Sequence, residues 1–192
     1  MGEFITYNLL VKFDANKDNS VERKNSLQKV FKDYNVVKKG KLIECKNDES
    51  KITIFTDYVR IVSSKEEEIY NSLISIRKIY NFELDEKSSD YLLQLDYEFR
   101  DESVNPNSYV RYIRKMAKSD IENDIISQIS ILTVLKEKLV VRIEYTGIKN
   151  GIHIQLLRMD GAYNIEESME VLKSNIKEKI KLLKEELFNN EE

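Results

Sequence analysis

Tyr7-Asn8-Leu9-Leu10-Val11-Lys12-Phe13 and Leu93-Gln94-Leu95-Asp96-Tyr97-Glu98-Phe99 lie 86 residues apart and place apolar side chains at the same four alternate positions. A period of two is that of a strand with one buried and one wetter face. Each stretch opens one half of the chain, so the fold depends on the elements that succeed it in each half.

After the first strand, Leu27, Val30, Phe31 and Tyr34 recur at the spacing of one helix face. Two extended runs come next, Val36–Lys46 and Lys51–Val62, joined by the turn Asn47-Asp48-Glu49-Ser50. Ser64 with Glu67 reads as a capping box, and Ile69, Leu73, Ile76 and Tyr80 continue from it as a helical stripe. The order is β-α-β-β-α. The second half repeats it, with Ile113 and Met116 in a helix that begins near Asn107. A helix near 119–135, opened by Ser119 and Glu122 and carrying Ile121, Ile125, Ile129 and Leu132, reads as an insertion. Beyond it the shift becomes 100: Ile43 falls on Ile143, Ile52 on Ile152, and Ser64 on Asn164, a candidate N-cap. Asn150-Gly151 between alternating apolar residues predicts a hairpin. The expected fold is therefore α+β: a duplicated β-α-β-β-α unit with about six mainly antiparallel strands and helices packed on one face. The halves, 1–85 and 86–192, are expected to pack as one compact body.

Composition narrows the chemistry. The chain has 192 residues, with 31 Lys and Arg against 34 Asp and Glu. This balance carries no overall basic excess of the kind common in nucleic-acid-binding proteins. Cys45 is the single cysteine and His153 the single histidine, so neither an intramolecular disulfide nor a Cys/His zinc site can be assembled. Cys45 shares a strand face with Ile43 and reads as a core residue. The five glycines include no pair at phosphate-loop or dinucleotide spacing, and no cofactor is expected. The opening Met1-Gly2-Glu3-Phe4 runs into a strand pattern, with no basic segment and apolar run ahead of it. Neither a signal peptide nor a membrane association is expected, and the cytoplasm is the expected location.

One surface gathers chemistry-bearing residues. Asp96, Glu98 and Arg100 lie on the polar side of the second opening strand, and Arg142, Glu144 and His153 on the polar side of the last hairpin. If these strands share a sheet, the six form a mixed-charge face able to hold a small polar ligand, with the arginines clamping an anion. The expected function is a non-catalytic binding or regulatory protein. It would act through protein–protein contact, self-association or a small polar ligand near the axis relating the halves. Two alternatives remain. Asp96 and Glu98 could hold a divalent metal in a phosphate enzyme. Arg111, Arg114, Lys115 and Lys118, on one helix face with no acid among them, could contact an anion or nucleic acid. The polar sheet face is not favoured for nucleic acid. Counted from the sequence it holds Lys12, Lys46, Arg100 and Arg142 against Glu44, Asp57, Asp96, Glu98 and Glu144, with Phe55 as its aromatic. The long amphipathic helix from Glu166 to Phe188 leaves Leu182 and Phe188 for a partner or a second copy.

Overall fold

The computed structural model describes residues 2–13, 20–82, 91–100, 128–134, 139–146, 151–158 and 164–188. In chain order the elements are β1 (Gly2–Lys12), α1 (Val21–Val30), β2 (Asn35–Lys39), β3 (Leu42–Lys46), β4 (Ser50–Ile54), β5 (Tyr58–Ser63), α2 (Glu66–Tyr80), β6 (Tyr91–Arg100), β7 (Gln128–Val134), β8 (Leu139–Thr146), β9 (Gly151–Arg158) and α3 (Ile165–Phe188). The fold is α+β. Six strands form an antiparallel sheet in the order β2-β3-β4-β5-β1-β6, and β9-β8-β7 extend it to nine.

The extra strands have identifiable causes. Each extended run of the first half is itself a hairpin. The first turns at Gly40-Lys41, where Gly40 takes φ +60°, a value an L side chain resists. The second turns at 55–57, closed by the Phe55 N–H bonding the Tyr58 carbonyl at 2.9 Å. The first half thus runs β-α-β-β-β-β-α. Residues 128–134, expected in the inserted helix, are strand β7, paired in register with β8. The rest of that expected helix, like the one near Asn107, lies outside the described residues. The Asn47 turn forms as expected, its Oδ1 accepting the N–H groups of Glu49 and Ser50 at 3.0 and 2.7 Å.

Outward from the β1–β6 pairing, the sheet runs β1-β5-β4-β3-β2 on one side and β6-β9-β8-β7 on the other. By place in the sheet, β9 answers to β5 and β8 to β4. The 100-residue shift sets them one strand further along, against β4 and β3.

The three described helices pack on one face. The buried strand residues Val36, Ile43, Cys45, Ile52, Ile54, Val59, Ile61, Leu9, Val11, Leu93 and Leu95 share that face by register. They meet Leu27 of α1, Ile69, Leu73, Ile76 and Tyr80 of α2, and Ile165, Met169, Leu172 and Ile176 of α3 in one cluster. Two buried hydroxyl pairs satisfy polar groups inside it, Ser50 with Ser63 at 2.7 Å and Tyr91 with Ser168 at 2.8 Å. Asn164 caps α3, its Oδ1 accepting the Glu167 N–H at 2.8 Å. The Ser64 capping box does not form. Ser64 still donates its N–H to the Glu49 carbonyl at 3.1 Å as the strand ends, and the helix starts after Lys65 without a side-chain cap. Among the described residues no helix is long and apolar enough to cross a membrane.

Cys45 is fully buried, and burial pushes its thiol up to about 12. Thiolate, the reactive form, is scarce at neutral pH. Maleimide labelling of the native protein should therefore be slow and become stoichiometric only in denaturant; rapid native labelling would contradict the strand assignment.

Candidate ligand-binding face

The helices leave the other face of the sheet uncovered among the described residues. Alternation sends the remaining strand residues there: Asn8, Leu10 and Lys12 from β1, Tyr58, Arg60 and Val62 from β5, Lys51 and Thr53 from β4, Glu44 and Lys46 from β3, and Leu92, Gln94 and Asp96 from β6.

Its centre is a shallow depression lined by Asn8, Leu10, Tyr58, Arg60, Leu92 and Gln94. Asn8 and Gln94 stand directly opposite one another across the β1–β6 pairing. Asn8 is buried, at 7% exposure, although it lies on the uncovered face. Arg60 donates its Nε–H to Asn8 Oδ1 at 3.1 Å, which orients the guanidinium and leaves its terminal nitrogens at an exposed position. Gln94 donates from Nε2 to both carboxylate oxygens of Asp96, at 2.9 and 2.8 Å. The depression thus offers a cation, two carboxamides, an apolar floor from Leu10 and Leu92, and the Tyr58 ring, which stacks on Phe55 with centroids 4.1 Å apart.

Charge on this face differs from the sequence count. Its described side chains include Lys12, Lys39, Lys46, Lys51 and Arg60, all exposed, against Glu44 and Asp96. Glu44 is ion-paired to Lys51 at 2.7 Å and lies 3.9 Å from Lys39, and the Lys51 hydrogen bond holds its carboxyl below the usual range. Asp57, counted as an acid of this face, sits instead in the β4–β5 turn, where its carbonyl accepts the Phe13 N–H at 3.1 Å. Among the described side chains of this face, five bases thus stand against two acids in a chain of net charge −3.

The six residues expected at a site occupy neighbouring backbone positions on β6, β9 and β8. Glu98 and Glu144 are both register partners of His153, Asp96 and Arg142 are both partners of Gln155, and Arg100 is opposite Gly151. These rows continue the uncovered face from the depression towards β7. Arg111, Arg114, Lys115 and Lys118 lie outside the described residues. Sequence reasoning passed over Asn8 and Arg60, the two residues that organise the centre. Arg60 alternates with Val59 and Ile61, and Asn8 with Tyr7 and Leu9, so the same period-two rule assigns both to this face once the β4–β5 turn is placed.

No protein-family model matches the chain, and no curated protein is detectably similar to it. The functional reading therefore rests on the face itself.

Proposed function

We propose that the protein is a non-catalytic binding protein whose ligand is a nucleic-acid duplex, received on the open face of the sheet with the β1–β6 seam over the minor groove. The observation that carries this reading is the facing pair Asn8 and Gln94, with Arg60 bonded to Asn8, at the centre of a sheet face that no described helix covers and whose described side chains are mostly basic. The minor groove presents acceptors from adenine and thymine and one donor from guanine, and Arg, Asn and Gln are the side chains that read it. Lys46 and Lys51, on β3 and β4, lie on the order of 10–14 Å from β1 at ordinary strand spacing. On the opposite flank Arg142 occupies a position on β8, two strands beyond β6. Bases on both flanks suit the two phosphate backbones that border a groove.

The same reading would give an internal duplication a role. Asn8 shifted by 86 residues is Gln94, so in a duplicated chain the carboxamides would be counterparts as well as partners, with the axis relating the halves between them. The mirrored strand order supports such a repeat. The metal-enzyme reading has less support, because the Gln94 amide occupies both oxygens of Asp96.

A second reading is favoured by Arg60, which has no carboxylate partner among the described residues: a small planar anion held in the depression alone. Fluorescence anisotropy with labelled duplexes of increasing length separates the two. The duplex reading predicts affinity that rises with length and falls with salt, and a loss of about tenfold or more in Arg60→Met, the cost of one guanidinium contact to a base edge. Binding to no duplex, or an Arg60→Met variant with unchanged affinity, contradicts it. Length-independent capture of a mononucleotide favours the small ligand.

A further inference from the structure

Among the described residues the sheet ends at two edges, β2 and β7, and they differ in kind. An edge strand presents unpaired backbone N–H and C=O groups, and folded proteins guard such edges with lysine, proline or short length. The β2 edge is guarded: it has five residues, ends in Lys38-Lys39, and turns through Gly40-Lys41. The β7 edge is not. Gln128-Ile129-Ser130-Ile131-Leu132-Thr133-Val134 has seven residues with no charge, proline or glycine. Every other described strand carries at least one charged residue. The strand itself carries none of these guards, and among the described residues no strand pairs with the outer side of β7.

We propose that β7 is a dimerisation edge whose partner is β7 of a second copy of this chain, paired antiparallel about Ile131. In that register Gln128 faces Val134 of the second copy, Ile129 faces Thr133, and Ser130 faces Leu132. No like charges oppose one another. The pairing preserves alternation. Ile129, Ile131 and Thr133 continue the row positions of the helix-covered face, and Ser130 and Leu132 those of the open face. The helices of both copies then lie on one side of a continuous sheet, and the open faces join on the other. The contact is isologous, so it closes at two copies and does not propagate. A β2–β2 pairing would instead bring the Lys38-Lys39 ends of two chains into one ladder.

Sedimentation equilibrium in the micromolar range, on the full chain, tests this. The wild type should sediment at twice the chain mass. Ser130→Lys with Leu132→Lys places lysine opposite lysine twice across the axis and should give the monomer. Ser130→Glu with Leu132→Lys places glutamate opposite lysine twice and should restore the dimer, while serving as the folding control because it differs at one position. A wild type that is monomeric throughout, a double-lysine variant that stays dimeric, or a charge-matched variant that fails to recover the dimer overturns the proposal.

Discussion

Truncating Leu9 to alanine should lower the free energy of unfolding by about 3 kcal/mol, within the roughly 2–5 kcal/mol range of buried leucine deletions. Leu9 is fully buried on β1, between Ile61 on one side and Leu93 on the other, under the helices that cover the sheet. It packs where the two halves of the chain meet, so the cavity falls in the one cluster shared by α1, α2 and α3. Leu10 is one residue away but points to the open face and is half-buried. Leu10→Ala should cost about 1 kcal/mol or less, near the value of a methylene or two of partly exposed surface. Urea unfolding followed by circular dichroism measures both. Equal costs at the two positions would mean that the sheet is covered on both faces.

The largest effect on binding is expected from the carboxamide pair. Asn8→Leu with Gln94→Leu roughly keeps side-chain size but removes the donors and acceptors of both carboxamides, and should weaken duplex binding by about 100-fold, the sum of two groove contacts at roughly 1–3 kcal/mol each. The arrangement explains why the loss should be large. Asn8 holds Arg60 through its Nε, so its replacement also frees the guanidinium to reorient. Stability should change little, because Arg60 is exposed and water can take the place of Asn8 Oδ1. Lys46→Ala provides the contrast: it should weaken binding to all sequences alike and reduce the salt slope by about one. Anisotropy titrations at several salt concentrations distinguish these patterns. A double variant that behaves like Lys46→Ala would remove the carboxamides from any reading role.

Much of the fold was legible because the alternation in β1, β3, β4, β5 and β6 is strict, and it separated Ile43, Cys45, Ile52 and Leu93 from their polar neighbours without tertiary information. What escaped was turn chemistry. Gly40-Lys41 is a two-residue hairpin turn that needs only one positive φ, and Phe55-Thr56-Asp57 contains no glycine, proline or asparagine to mark it. Each concealed turn merged two strands into one run. Residues 128–134 misled in another way. Apolar residues are so dense there that Ile125, Ile129 and Leu132 satisfy helical spacing while Ile129, Ile131 and Thr133 satisfy alternation. Pairing with β8, which propensity does not report, decides for the strand. Misplaced turns then distorted the site. With Asp57 on the face and Lys39, Lys51 and Arg60 left off it, the face looked balanced, and nucleic acid looked unsuited to it. Among the described side chains the register reverses that sign. The six residues expected at the site remain on neighbouring rows, while the centre shifts to Asn8, Arg60 and Gln94, where the two halves pair.

Lysine-modification footprinting with and without a duplex tests the central claim most directly, because both faces of the molecule carry exposed lysines. Lys12, Lys46 and Lys51 lie on the open face, whereas Lys29, Lys78 and Lys177 project from α1, α2 and α3. The account predicts that saturating duplex protects Lys12, Lys46 and Lys51 and leaves Lys29, Lys78 and Lys177 as reactive as in the free protein. Protection of the helix lysines with the sheet lysines unchanged would contradict it.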